Sequence, residues 1–128
     1  MKTSDSIFLR ALNKESLEIP PIWYMRQAGR YMPEYRAVRK KFKNFLDMCK
    51  NPEVCCELAL QPINAFNLDA SILFSDILTI PDAFGLGVEF LEGEGPVFKN
   101  PIKTPNDISS LPEFNSDDLS YVYKAVSN

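Results

Sequence analysis

The sequence predicts an α/β fold in which two parallel strands are joined by a crossover helix. Apolar runs at residues 22–25 and 70–74 predict buried strands, since neither run alternates cleanly between apolar and polar positions. Between them, Asn51 and Pro52 predict a helix start, because Asn caps helices and Pro suits the first helical position. Strand, helix and strand in this order predict a parallel βαβ unit.

The other elements are predicted from helical spacing, caps and alternation. The helix that begins at Pro52, after the Asn51 cap, is expected to bury an apolar stripe and to kink at Pro62. The stripe consists of Cys55, Leu58, Ala59, Ile63 and Phe66. Residues 88–91 alternate between apolar and polar positions, which predicts an edge strand or a hairpin arm. Further helices are predicted at residues 4–12 (capped by Thr3 or Ser4), 34–41, 44–49 (capped by Asn44), 81–86, 106–111 and 117–128 (capped by Ser116).

Composition narrows the function class. The chain has 128 residues, 45% of them hydrophobic and 24% charged, as in an ordinary soluble globular domain. Its net charge of −3 argues against nucleic-acid or membrane-surface partners, and no apolar run is long enough to cross a bilayer. Three clustered cysteines and no signal pattern indicate a cytoplasmic protein. Histidine is absent, which removes the commonest general base from this chain.

Two arginines follow the first predicted strand. Arg26 and Arg30 flank Gly29, where a side chain would block close backbone approach. A guanidinium group matches a carboxylate or phosphate with two parallel hydrogen bonds. Loops at strand ends are where α/β folds place their ligands, so we interpret this loop as a site for an acidic small molecule. Alternatively, the arginines are surface charges or partners of Glu34 and Glu53.

A single acidic residue, Asp76, follows the second predicted strand. Adjacent parallel strands end at the same edge of a sheet, so Asp76 is expected beside the arginine loop. Its carboxylate could accept hydrogen bonds from N–H donors of a ligand and offset positive charge that develops during a reaction. Alternatively, Asp76 caps the following helix or pairs with an arginine.

Several motifs carry a family resemblance. Residues 25–35, Met-Arg-Gln-Ala-Gly-Arg-Tyr-Met-Pro-Glu-Tyr, resemble the signature of the uroporphyrinogen decarboxylase family. Cys-Cys-Glu-Leu at 55–58 with Gln61-Pro62, and Phe-Ser-Asp-Ile-Leu at 74–78, match further family stretches in the right order. Gly95-Pro96 also fits. The resemblance is strong over residues 22–96.

The resemblance implies a (β/α)8 TIM barrel, with residues 1–128 as the N-terminal portion of a single barrel domain. It implies a carboxy-lyase of heme and porphyrin biosynthesis that acts as a homodimer in the cytoplasm, without cofactor or metal. The reaction removes carbon dioxide from the four acetate side chains of uroporphyrinogen III and yields coproporphyrinogen III. No nucleic-acid or membrane partner is expected.

The resemblance also implies roles for individual residues. Arg26 and Arg30 would hold substrate carboxylates, and one of them is a candidate for proton transfer. Asp76 would hold the pyrrole N–H groups at the centre of the macrocycle and stabilise its cationic form. The other expected substrate-binding residues are Gln27, Ala28 and Gly29, with their backbone N–H groups, and Arg39, which matches a carboxylate-binding arginine of some members.

The chain lacks pocket residues that later parts of the family members supply. Family members add a tyrosine, a serine or threonine, and a histidine to the pocket from later strands. The chain ends within a predicted helix, so we expect a truncated piece that is inactive alone.

Two alternatives stay open. One is a cobamide-dependent methyltransferase of the same superfamily, which metal analysis would reveal. The other is a non-catalytic module that binds an anion or a partner, which titration with a porphyrin octacarboxylate would test.

Overall fold

The structure is a computed structural model that describes residues 5–23, 31–91 and 95–128. Within these residues the chain combines short helices with one β-hairpin. The helices are α1 (Ile7–Leu12), α2 (Pro33–Arg39), α3 (Phe45–Cys49), α4 (Pro52–Ala65), α5 (Thr79–Ala83), α6 (Pro105–Ser109) and α7 (Ser120–Ser127). The strands are β1 (Val88–Leu91) and β2 (Gly95–Phe98), and a 3-10 turn spans Ser116–Leu119. None of the described helices is long and apolar enough to cross a membrane.

Asparagine caps set the starts of α3 and α4, as predicted. The Asn44 side chain accepts a hydrogen bond from the Asp47 backbone N–H at 2.7 Å. The Asn51 side chain accepts one from the Val54 N–H at 3.1 Å, directly before Pro52. Each bond satisfies a donor that the first helical turn would otherwise leave unpaired.

Several details of the helix predictions are wrong. The helix predicted at residues 81–86 spans Thr79–Ala83 in the structure. The cap before the last helical segment is Asn115, whose side chain accepts from the Asp117 N–H at 3.1 Å, whereas Ser116 already lies in the 3-10 turn. The apolar stripe of α4 buries Cys55 and Leu58, but Phe66 is 45% exposed. Phe66 has extended backbone angles (φ −132°, ψ 148°), so its side chain leaves the helical face. The predicted caps Thr3 and Ser4 lie outside the described residues; α1 begins after Ser6, which makes no side-chain cap bond.

The predicted parallel strand at residues 70–74 is not a strand in the structure. Among the described residues, the hydrogen bonds that connect the two predicted strands join Ile22 to Asp69, which directly precedes the 70–74 segment. A strand needs a ladder of such bonds along a neighbour. Residues 24 and 25, which would continue that neighbour, lie outside the described residues. The predicted βαβ unit is therefore not formed as a sheet within the described ranges.

The one sheet among the described residues is the hairpin of β1 and β2, whose first arm was predicted. The strands are antiparallel, with Val88 opposite Phe98 and Leu91 opposite Gly95. An exposed ion pair at 2.6 Å joins Lys99 to Glu89 on the first strand. This pairing lies beside the helices and does not extend into the 70–74 segment.

A compact apolar cluster joins α2, α3, α4 and α7. Its most deeply buried members are Phe74, Met48, Cys49 and Cys55, each at most 2% exposed. Val38, Leu58 and Ala125 complete the cluster. The three cysteines are free thiols, and Cys55 is buried whereas its neighbour Cys56 is only partly covered. The two neighbouring thiols therefore face different directions.

Candidate functional site

Asp76 lies between the 70–74 segment and α5, with its carboxylate half-buried. Its Oδ1 atom accepts a hydrogen bond from the Leu78 backbone N–H at 2.7 Å. This bond closes a short turn directly before α5, so the Asp76 carboxylate fixes the backbone that leads into the helix. The N-terminal flanking residue of α5 is Leu78, so the alternative that Asp76 is the helix cap itself is not what the structure has.

The second carboxylate oxygen of Asp76, Oδ2, does not share the hydrogen bond to Leu78. It makes no hydrogen bond to any residue within 5–23, 31–91 and 95–128. The ion pairs found in those ranges also leave Asp76 out; they join Arg10 to Glu15, Lys50 to Asp82 and Lys99 to Glu89. One oxygen is thus held by the backbone while the other can accept a ligand N–H donor.

Burial and nearby negative charges, including that of Asp76, raise the pKa of the Tyr121 hydroxyl on α7. Burial is the largest cause that raises the pKa of the Tyr121 hydroxyl, to about 12, followed by the negative charges of Asp82, Cys49 and Asp76. The phenol therefore stays protonated across the physiological range. Tyr121 carries a hydroxyl group within electrostatic range of Asp76 and Asp82 that no sequence pattern indicated.

Aromatic packing fixes the chain just before Asp76. The Phe74 ring is completely buried. Its centroid lies 6.1 Å from that of Tyr35 on α2 and 5.9 Å from that of Phe45 on α3. Phe45 in turn stacks edge-on with Phe90 of β1 at 5.0 Å. Tilted and edge-on rings at these distances attract each other beyond simple burial. The segment that carries Asp76 is therefore anchored between two helices.

The arginine loop itself lies outside the described residues, and so do its predicted site residues Arg26, Gln27, Ala28, Gly29 and Arg30. Its two flanks are described, and both contact the 69–74 segment. On one side Ile22 exchanges hydrogen bonds with Asp69. On the other side Tyr35 packs on Phe74. Both flanks of the loop are therefore tied to the segment that leads to Asp76.

Arg39 occupies the last turn of α2, where it has a structural contact. Its Nη1 atom donates a hydrogen bond to the Phe42 carbonyl oxygen at 2.7 Å. A cation at this position satisfies a carbonyl group just beyond the helix C-terminus. The predicted substrate contact of Arg39 stays a prediction. No group of three or more Cys, Asp or Glu side chains in the described part of the chain is arranged to hold a metal ion.

Comparison with known proteins decides the family. A sequence model described as "Uroporphyrinogen decarboxylase (URO-D)" matches residues 3–128. The chain belongs to the uroporphyrinogen decarboxylase family. The resemblance predicted from the arginine signature, the Cys-Cys-Glu-Leu stretch and the Phe-Ser-Asp-Ile-Leu stretch is thereby confirmed.

Individual members of the family are closely similar to the chain. It is 57% identical over 122 residues to a protein named uroporphyrinogen decarboxylase from Francisella philomiragia, covering 94% of the chain and 36% of that protein. It is 58% identical over 120 residues to one of the same name from Vesicomyosocius okutanii, covering 94% of the chain and 35% of that protein. A third, from Francisella tularensis subsp. novicida, is 53% identical over 122 residues, with 94% and 36% covered. The chain thus spans about a third of the length of these curated uroporphyrinogen decarboxylases.

Proposed function

We propose that this chain is part of a uroporphyrinogen decarboxylase that converts uroporphyrinogen III to coproporphyrinogen III by removing carbon dioxide from its four acetate side chains. The observation that carries the proposal is identity of 53% to 58% with proteins of that name over 94% of the chain. Asp76 also supports the proposal. One of its carboxylate oxygens accepts the Leu78 N–H, and the other can accept N–H donors of a tetrapyrrole.

In the proposed mechanism the negative charge of Asp76 stabilises a cationic form of the substrate. Protonation of a pyrrole ring carbon makes the ring cationic. The bond between the acetate methylene and its carboxylate then breaks, and its electron pair moves into that ring as carbon dioxide leaves. A proton adds to the methylene carbon and the ring carbon gives its proton back, so a methyl group replaces the acetate. An ionised Asp76 near the ring stabilises the cation, and its free Oδ2 accepts from pyrrole N–H groups.

Arg26 and Arg30 would hold the substrate carboxylates, assisted by backbone N–H groups of Gln27, Ala28 and Gly29. The contacts that flank this loop support the placement, since they tie it to the segment ending at Asp76. Arg39 would reach a carboxylate with the guanidinium nitrogens that do not bind the Phe42 carbonyl. Asp76, Arg26 and Arg30 are the proposed catalytic residues.

The proposed architecture is the N-terminal portion, residues 1–128, of one (β/α)8 barrel domain that forms a homodimer in the cytoplasm. A closed barrel of this type takes ~250 residues, and the chain covers 36% of a curated relative. We therefore expect the 128-residue chain to lack decarboxylase activity by itself. This proposal includes no cofactor, nucleic-acid or membrane partner.

The test combines turnover with binding. The complete decarboxylase is given reduced octacarboxylic porphyrinogen without added cofactor, and products are separated by carboxylate number. Formation of the tetracarboxylic product is expected; no conversion would overturn the proposal. Fluorescence titration of the 128-residue chain with a porphyrin octacarboxylate then shows whether it binds without catalysing.

The arginine roles need a matched pair of variants of the complete decarboxylase. Arg30→Ala is expected to raise KM by about tenfold or more, because a charge-assisted pair with a carboxylate is lost. Arg36→Ala removes an exposed arginine of α2 and is expected to leave KM unchanged. A large loss of thermal stability in Arg30→Ala with unchanged KM would favour the purely structural reading.

A further inference from the structure

Asp69 and Ile22 form a reciprocal contact between segments far apart in the chain. The Asp69 N–H donates to the Ile22 carbonyl oxygen at 3.0 Å. The Ile22 N–H donates to the Asp69 carboxylate oxygen Oδ2 at 2.8 Å. Both main-chain polar groups of Ile22 are therefore bound by one residue. One bond is backbone to backbone and does not involve the Asp69 side chain, whereas the other depends on that side chain.

This contact sets the alignment of two segments that lead toward the proposed site. Asp76 lies seven residues after Asp69, and Arg26 lies four residues after Ile22. A slip of one residue would shift the two segments against each other by at most about 3.3 Å, the rise per residue of an extended chain. Such a slip would break both bonds to Ile22 at once, so the pair specifies a single alignment.

We propose that Asp69 is a positioning residue for the decarboxylation site, whose carboxylate sets the alignment of the Ile22 segment against the segment that ends at Asp76. The inference rests on the proposed function, because it assigns Asp69 a role in that same site. Asp69 does not touch substrate in this account; it acts through the two segments that it joins.

The other flank of the arginine loop contacts the same segment differently. There Tyr35 packs on the completely buried Phe74, so any change in that contact also disturbs the core. Asp69 is only partly buried, and its removal leaves no core cavity. Asp69 is thus the point where alignment can be perturbed with little loss of packing.

Three variants of the complete decarboxylase test the role. Asp69→Asn keeps an oxygen acceptor of the same length for the Ile22 N–H and is expected to retain KM within about twofold. Asp69→Ala removes the acceptor, and Asp69→Glu moves it outward by one methylene group. For both we expect KM for the octacarboxylic substrate to rise by about tenfold, since misplacement near 1 Å costs up to about a hundredfold in efficiency. We also expect partly decarboxylated products to accumulate at equal substrate consumption.

Asp107→Ala is the matched control. The Asp107 carboxylate also accepts backbone N–H bonds, from Lys103 at 2.8 Å and Thr104 at 2.7 Å, but only within its own capping box. This variant is expected to lower thermal stability without changing KM or the product pattern. A purely structural role for Asp69 would give that same result, because fewer folded molecules alter neither KM nor the pattern at equal conversion.

The outcomes separate this inference from the proposed function. Wild-type protein without decarboxylase activity would overturn the proposed function. Active wild type together with wild-type KM and product pattern in both Asp69→Ala and Asp69→Glu would overturn the positioning role alone. If Asp69→Ala does not fold, Asp69→Glu decides, because it keeps the charge and an acceptor. Loss of substrate affinity in Asp69→Asn as large as in Asp69→Ala would also contradict the role.

Discussion

Replacing Asp76 by asparagine separates the charge of the carboxylate from its structural contact. The amide oxygen of asparagine can still accept the Leu78 N–H, which Asp76 Oδ1 accepts at 2.7 Å. The turn ahead of α5 should therefore persist, with a loss of at most about 1 kcal/mol of unfolding free energy as a charged acceptor becomes neutral. Asp76→Ala removes the acceptor as well and should cost about 1–3 kcal/mol, because the Leu78 N–H then lacks its partner.

The catalytic loss should be much larger than the loss of stability. A unit charge about 4 Å from a developing cation interacts by roughly 4 kcal/mol at an effective dielectric constant of about 20. Removing it should slow turnover by roughly a thousandfold, because each 1.36 kcal/mol is about a factor of ten in rate. The amide would also point N–H donors toward the pyrrole N–H groups that Asp76 is proposed to bind, so substrate binding should weaken as well.

The assay measures carboxylate loss from the reduced octacarboxylic substrate by the complete decarboxylase, beside urea unfolding of the same samples. Asp47→Asn is the control, because Asp47 is an exposed carboxylate that accepts from the Asn44 side chain at 2.6 Å. It should keep full turnover. Turnover of Asp76→Asn within tenfold of wild type, in protein that unfolds at the same urea concentration, would refute the electrostatic role of Asp76.

The remaining predictions concern the chain itself, followed by denaturant unfolding. Phe74→Ala should lose about 3–5 kcal/mol, since it empties a completely buried site between two aromatic rings, whereas Ile77→Ala, at a side chain 92% exposed, should stay within about 0.5 kcal/mol of wild type; equal losses would contradict the packing described. Asn51→Ala should cost about 1 kcal/mol by removing the α4 cap, with Asn51→Asp retaining most of the stability. The raised pKa of Tyr121, about 12, means that the folded state holds a proton that the unfolded state releases near pH 10. Stability should therefore be fully retained below pH 10 and fall as pH rises toward 12, and Tyr121→Phe should remove that part of the loss.

Features that depend on a few neighbouring residues were predictable from the sequence. The caps at Asn44 and Asn51 bind backbone N–H groups only three residues away, so the local pattern is sufficient to indicate them. The hairpin arm at residues 88–91 pairs with a strand that follows after one turn. Family membership was likewise predictable, because the arginine signature and the stretch around Asp76 are contiguous.

The tertiary structure decided which distant groups meet. Asp69 binds Ile22 across 47 positions, and Tyr121 lies near Asp76 because the last helix packs against the same cluster. No local pattern indicates such contacts, since they arise from how helices pack. The apolar run at residues 70–74 predicted a buried strand, but only Phe74 of this run is buried and Ile72 is 48% exposed. A strand also needs a hydrogen-bonded neighbour, which an apolar pattern does not supply. Composition shows which segments can be buried, whereas both burial and strand pairing depend on which segments meet in the fold.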